Sequence, residues 1–324
     1  MLAVLCGGIG GVKLVDGFAA VLADPAELSV IVNTGDDWEH LGLSISPDVD
    51  TVLYTLAGLA SDDRGWGIEG DTWTALEMLG RYGLPTWFRL GDRDLATHLA
   101  RTIWLRQGRR PTEVTAALAA VLGVAPRVLP MSDDPISTVV HTPEGRLAFQ
   151  EYFVKRGARD RVTGIEFEGI ERAAPSPEVL EAVRRATVLV VSPSNPLVSI
   201  GPILALRGMT HALAESRALR IAVTPLIGGK AVKGPTVEML RGVGIPPEPS
   251  AVAALYRSFL DVFVLDARDA DLAETVAATG DPERPLPVEC TDTLMTDRAG
   301  RRRLARAILG IAARHGVEVR AKPA

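Results

Sequence analysis

Asp36, Asp37, Asp48 and Asp50 fall close together in V-N-T-G-D-D-W-E-H-L-G-L-S-I-S-P-D-V-D-T-V-L-Y, residues 32–54. Carboxylates crowded on one loop repel each other unless a cation or a cationic ligand holds them. Hard oxygen donors suit magnesium, which takes one or two carboxylates and completes its shell with water and substrate phosphate. Asp36 and Asp37 close an apolar strand, while Asp48 and Asp50 open a helix beside Pro47. A single aspartate in either place is a turn or cap residue. Four of them across one loop after a strand point to metal or polar-ligand binding.

Four further stretches carry chemistry. C-G-G-I-G-G-V-K (residues 6–13) follows the first apolar run, where glycines let backbone N–H groups approach a phosphate at a helix N-terminus or simply make a tight turn. It is not the dinucleotide fingerprint, because Lys13 stands where the third glycine belongs and Asn33, not an acid, ends the second strand. In W-F-R-L-G-D-R-D (residues 87–94), Arg89 sits in an apolar run and needs an anionic or acceptor partner, either ligand or structural carboxylate. Asp92 reads as the N-cap of the next helix. S-P-S-N-P-L-V-S-I-G-P-I-L (residues 192–204) places Ser194, Asn195 and Ser199 directly after a buried run, at the sheet edge where α/β proteins bind ligands. T-P-L-I-G-G-K-A-V-K-G-P (residues 224–235) does the same with Lys230 and Lys233. The five histidines are scattered without zinc spacing, and no Ser-His-Asp arrangement can be drawn.

The elements that must position these groups alternate. Strand Leu2–Cys6, an amphipathic helix over 12–22 and strand Leu28–Val32 make a strand–helix–strand unit of a parallel sheet. A second such unit comprises strand 187–191, helix 196–207 and strand Leu219–Val223, with one more buried strand at 260–265. Helical spacing covers 48–60, 95–105 and 114–122, with Pro111 at the start of the last. Short strands follow at 137–141, 147–154 and 162–167, and a terminal amphipathic helix covers 301–315. The expectation is one α/β domain over residues 1–324: a Rossmann-like parallel sheet flanked by helices, its core about 1–60 and 180–300. An inserted α+β region at about 61–179 lies over one sheet edge.

At 324 residues and 47% hydrophobic, the chain can bury a large core. A formal charge of -5 gives no basic excess for nucleic acid. The run Arg301, Arg302, Arg303 reads as a solvated helix face. Two cysteines make no disulfide framework, and Cys6 reads as a small buried hydrophobe. With no basic leader and no membrane-spanning apolar run, a soluble cytoplasmic protein is expected. The residues alone therefore point to magnesium-assisted phosphoryl or nucleotidyl chemistry.

G-G-I-G-G-V-K-L, N-T-G-D-D, G-L-S-I-S-P-D-V-D-T-V-L-Y, L-G-D-R-D-L-A-T-H-L, P-M-S-D-D-P, F-Q-E-Y-F-V, S-P-S-N-P-L-V-S-I-G-P-I-L and P-L-I-G-G-K-A-V-K-G-P occur in that order. Together, from residue 1 to about 300, they resemble the 2-phospho-L-lactate transferase family (CofD/FbiA-like) of coenzyme F-420 biosynthesis. The resemblance implies a transfer to the deazaflavin Fo (7,8-didemethyl-8-hydroxy-5-deazariboflavin). The donor is a guanosine diphosphate-linked lactyl, enolpyruvyl or glyceryl acid, and GMP leaves. It also implies a magnesium requirement and a homodimer, and it puts Fo contacts on Asp50 and Arg89. On that footing Asp36 and Asp37 are expected to hold magnesium, and Asp48 and Asp50 to be catalytic, Asp48 serving as ligand or base. Gly7, Gly8, Gly10, Gly11, Lys13, Ser194, Asn195 and Ser199 are expected to bind the donor. A rival reading is a YvcK-like nucleotide-sugar-binding regulator, which shares the glycine loop; S-I-S-P-D-V-D-T-V-L-Y and L-G-D-R-D-L-A suit the transferase better.

Overall fold

Apolar runs rich in branched residues become parallel strands buried on both faces. The computed structural model describes residues 1–61, 64–232 and 234–323. Strand β1 (Leu2–Cys6) runs into α1 (Gly8–Val21), and β2 (Leu28–Val32) follows. A hairpin of β3 (Trp38–His40) and β4 (Leu43–Ile45) leads to α2 (Pro47–Leu56), α3 (Thr74–Arg81), α4 (Asp92–Arg106) and α5 (Pro111–Val121). Then come β5 (Arg127–Pro130), β6 (Ser137–Thr142), β7 (Gly145–Ala148), β8 (Gly164–Glu168), α6 (Pro177–Arg185) and β9 (Val188–Val191). Helices α7 (Gly201–Ala205) and α8 (Met209–Glu215) precede β10 (Leu219–Val223) and the small hairpin β11 (Leu226–Ile227) with β12 (Lys230–Ala231). The chain closes with α9 (Thr236–Gly242), α10 (Pro249–Tyr256), β13 (Val262–Asp266), α11 (Ala273–Ala277), β14 (Val288–Thr291) and α12 (Arg298–Arg314).

Seven strands form the main sheet in the order β14-β13-β10-β9-β1-β2-β5, every pair parallel. The chain winds outward from β1 through β2 to β5, then restarts on the other side at β9. The switch point thus falls between β1 and β9, where the two connections leave toward opposite faces and open a crevice at the strand ends. Alternate strand residues feed two cores. Leu2, Val4 and Cys6 pack with α1, α2, α5 and α12, whereas Ala3 and Leu5 pack beneath α6, α8 and α10. The result is a three-layer, Rossmann-like α/β fold.

Several sequence expectations are corrected. The region 61–179 is not wholly an insertion, because β5 pairs with β2 as the sheet's edge strand and α5 packs into the core. What lies over the crevice is the antiparallel trio β7-β6-β8, packed on Val198 and Met239. The expected strand 147–154 stops at Ala148; a π-helical turn, Glu151–Lys155, takes its second half. The expected helix 196–207 shrinks to α7. Asn195 Oδ1 accepts from Leu197 N at 2.9 Å and Val198 N at 3.3 Å, holding this stretch in an Asx turn. The first helix starts earlier than its apolar periodicity, since the glycine loop is itself the first turn of α1. Arg301 is not solvated: it is buried and pairs with Asp16 at 2.9 Å, while Arg302 and Arg303 are exposed. Asp92 does not cap its own helix. Its carboxylate accepts from Ala75 N (2.9 Å) at the start of α3, and Asp71 accepts from Arg93 N (2.9 Å) at the start of α4, so the two helices cap each other.

Candidate functional site

A cavity of about 400 Å³ opens at the carboxyl ends of the sheet, lined by residues that follow β1, β2, β9 and β10. Local structure explains why the glycine loop lies at its floor. Gly8 has φ +63°, which an L side chain rarely adopts, and a Cβ on Gly10 would stand 2.6 Å from the Pro193 carbonyl oxygen. Gly10 is therefore glycine so that α1 can approach the loop after β9, and not only to admit a ligand. The first turn of α1 carries no acid of its own and lines the cavity, so the positive end of the helix faces it.

Buried polar contacts join the two sides of the switch point. Ser194 Oγ donates to the Gly7 carbonyl at 2.6 Å, and Asp48 Oδ1 accepts from Gly8 N at 2.8 Å. Asp48 Oδ2 accepts from Asn33 Nδ2 at 3.0 Å. Thus Asn33, at the end of β2, holds a carboxylate of α2 against the first turn of α1. Burial pushes the Asp48 carboxyl above the usual range, opposed by those two hydrogen bonds. Burial pushes Asp36 well above it, and the charges of Asp48 and Asp37 add to the shift. Asp37 also rises with burial of its carboxyl end, against the Ser46 hydroxyl at 2.7 Å and the Arg101 charge.

The structure brings most of the expected residues to one cavity. Asp36, Asp48, Asp50, Arg89, Gly7, Gly8, Gly10, Lys13, Ser194, Asn195 and Ser199 all line it. Gly11 lies behind the wall, packed on Ser192 and Ser194, and the Asp37 carboxylate is also set back. Lys13 Nζ donates to the Met295 carbonyl at 3.0 Å. Arg89 is exposed at the rim and stacks over Trp73 at 4.4 Å, a partner the apolar run gave no sign of. Lys230 is exposed away from the cavity, and Lys233 lies outside the described residues.

Three groups escaped sequence reasoning. Trp66, Trp87, Phe88, Phe149 and Phe153 form an aromatic mouth, in which Phe149 and Phe153 stack at 5.5 Å and 9°. The helical turn at 149–150 that continues into the π-helical turn Glu151–Lys155 sets Phe149 and Phe153 on one side. Second, Asp94 and His98 line the cavity from α4, and their spacing of four on a helix was the available signal. Third, Arg101 forks onto both carboxylate oxygens of Asp50. Spaced three residues after His98, it belongs to the same helix face.

Could the acids hold magnesium? Asp36 Oδ1 and Asp37 Oδ1 are buried without a hydrogen-bond partner, which suits donors awaiting a cation. No three or more of His, Cys, Asp or Glu among the described residues converge as a closed metal cage. A cation held by one or two carboxylates plus substrate phosphate does not need one, so the donor set fits.

An acid-lined cavity at the switch point of a parallel sheet is where Rossmann-like α/β enzymes bind their ligands. The profile of the 2-phospho-L-lactate transferase family CofD matches residues 2–306, and the chain belongs to that family. It is 41% identical over 316 residues to a 2-phospho-L-lactate transferase of Methanopyrus kandleri, covering 96% of this chain and 97% of that one. It is 42% identical over 309 residues to a phosphoenolpyruvate transferase of Streptomyces griseus, covering 94% and 97%. In two crystal structures, a UPF0052-family protein of Bacillus halodurans superposes with TM-scores of 0.56 and 0.60. At 19% identity, over 95% of this chain and 98% of that one, that likeness speaks for the fold. The family match identifies the protein as a transferase. No helix among the described residues is long and apolar enough to cross a membrane.

Proposed function

We propose that the protein transfers a phospho-(three-carbon acid) group from a guanosine diphosphate-linked donor to the deazaflavin Fo, releasing GMP. The observation that carries this reading is one cavity with two unlike ends. A glycine-rich helix N-terminus and clustered carboxylates occupy its floor, and five aromatic rings its mouth. The floor suits a diphosphate and the mouth a flat, hydrophobic ring.

Charge balance supports the division. Asp36, Asp48, Asp50 and Asp94 line the cavity, against Lys13 and Arg89 among its described residues. With Asp50 already paired to Arg101, Asp36, Asp48 and Asp94 would still repel a diphosphate, and a metal cation would relieve that repulsion. Magnesium bound at Asp36 and Asp37 would neutralise the diphosphate and polarise the phosphoryl oxygens. The rest of the reaction is positioning. The amides of α1 would cradle the donor's phosphates, and Arg89 would present its planar fork to the oxygen-rich end of the deazaflavin. Asp50 would orient the terminal ribityl hydroxyl, whose oxygen attacks the phosphorus bearing the acid. The bond from that phosphorus to the GMP phosphate oxygen breaks, and the hydroxyl proton passes to Asp48.

Relatives bearing the names 2-phospho-L-lactate transferase and phosphoenolpyruvate transferase are about equally similar, so identity does not choose the acid. The test is purified protein with Fo, magnesium and each guanylyl donor (lactyl, enolpyruvyl and glyceryl), with products read by mass. Formation of a phospho-acid adduct of Fo with one donor supports the reading, and none with any donor sinks it. The same reading expects a cytoplasmic homodimer. The exposed Leu41, Leu99 and Ile103 offer apolar surface for self-association, which light scattering would report.

A further inference from the structure

Between α2 and α4 a charged network joins Asp50 to Asp94, His98 and Arg101, three groups that the reaction above leaves without a role. Arg101 is 3% exposed, and Asp50, Asp94 and His98 stand between it and the cavity. Its guanidinium forks onto Asp50, with Nη1 3.0 Å from Oδ2 and Nη2 on Oδ1. The same Nη1 lies 3.1 Å from His98 Nδ1. An arginine N–H can only donate, so His98 Nδ1 accepts and carries no proton. The ring proton is then on Nε2, which lies 3.2 Å from Asp94 Oδ1 without the alignment of a hydrogen bond. Asp94 Oδ1 in turn accepts from the Tyr54 hydroxyl at 2.8 Å. The contacts therefore run from Tyr54 through Asp94, His98 and Arg101 to Asp50, with the Tyr54 hydroxyl donating to Asp94 and Arg101 donating to both His98 and Asp50.

We propose that Arg101, held in place by His98 Nδ1, is the positioning residue of the acceptor half of the site. It locks the Asp50 carboxylate in the orientation that receives the attacking hydroxyl. This deepens the function proposed above and rests on it. The physical need is plain. Asp50 is 4% exposed in the first turn of α2, and a buried carboxylate without a partner either protonates or swings toward water. A bidentate fork prevents both, because two parallel hydrogen bonds fix the plane of the carboxylate as well as its charge. Each oxygen keeps a second lone pair for a hydroxyl on the cavity side. His98 closes the other side of the guanidinium and keeps its plane from rotating. The competing account is a structural ion pair that merely neutralises a buried charge. Lysine separates the two accounts, since an ammonium keeps the charge but not the fork.

The experiment uses the full chain and follows Fo binding by fluorescence, steady-state rates with each substrate varied in turn, and thermal melting. Arg101→Lys is expected to melt near wild type. Its kcat/KM for Fo should fall about 100-fold, the cost of a misplacement of about 1 Å at a reacting group, with the donor KM within about twofold. His98→Leu, which removes no ion pair with Arg101, should lose Fo turnover in the same direction. His98→Asn, whose Oδ1 can stand in for Nδ1, should restore part of it. Free guanidinium should rescue Arg101→Ala. If Arg101→Lys and His98→Leu keep wild-type rates and Fo KM while only the melting temperature falls, the network is structural and the inference is overturned. Wild-type protein that binds no Fo overturns the functional reading and this inference together. Wild type that binds Fo beside variants that turn it over normally overturns this inference alone.

Discussion

Asp36→Asn should make the metal-free protein more stable and the metal-bound protein less active. In the folded protein Asp36 is 6% exposed, its Oδ1 has no partner, and the charges of Asp48 and Asp37 face it. All of these raise its proton affinity above that of the unfolded chain, so between those two affinities the native state binds more protons. Stability therefore falls as pH rises from about 4, the ordinary aspartate range. Asparagine cannot ionise and escapes that loss. Relief of one unsatisfied buried group is worth about 1–3 kcal/mol; the amide's own unmet hydrogen bonds keep the gain toward the lower end. At about 2–4 °C per kcal/mol for chains of 150–250 residues, and somewhat less here, melting should rise by a few degrees in chelator at pH 7. The variant should match wild type near pH 4. With magnesium and GDP the order should reverse. A ligand at about ten times its Kd adds about 1.4 kcal/mol to wild type, and little to a variant lacking the carboxylate. The assay is scanning calorimetry with and without magnesium, alongside turnover. An Asp36→Asn protein that melts below wild type in chelator, or that keeps the full magnesium-dependent rise, refutes the reasoning.

Three further outcomes follow from particular contacts. Gly10→Ala should weaken GDP binding and lower the melting temperature together, because its Cβ would press on the Pro193 carbonyl; calorimetry with unchanged GDP affinity and stability would show that α1 does not need this approach. Arg89→Ala should leave stability within about 0.5 kcal/mol, as a change at an exposed side chain does, yet raise the KM for Fo and not the donor KM in steady-state kinetics. A raised donor KM instead would move Arg89 to the other half of the site. In the native protein a maleimide should label Cys290, which is exposed, and spare Cys6, whose thiol burial holds in its protonated form; mass spectrometry of labelled peptides showing equal modification would contradict the packing beneath the glycine loop.

Much of this protein is legible along the chain because its causes are local. Strands Leu2–Cys6, Leu28–Val32 and Leu219–Val223 have the bounds their apolar runs predict, since burial on both sheet faces leaves a continuous hydrophobic record. Asp36, Asp48 and Asp50 could be singled out because one loop and one helix start carry them all. Where two distant segments meet is a different matter. Ser194 reaches the Gly7 carbonyl across 187 residues, and the strand order that allows it is written in neither segment. Arg101 looked like any charged position on a helix, and only the packing of α4 beside α2 turns it onto Asp50, 51 residues away. The stretch F-Q-E-Y-F-V had a strand's composition, yet none of it is strand: it turns helical from Phe149 and passes into a π-helical turn at Glu151, which buries Tyr152 and leaves Phe149 and Phe153 lining the cavity. Periodicity records which face of an element is buried; it holds no information about which other element does the burying, and that choice, made only in the tertiary structure, is what assembled the site.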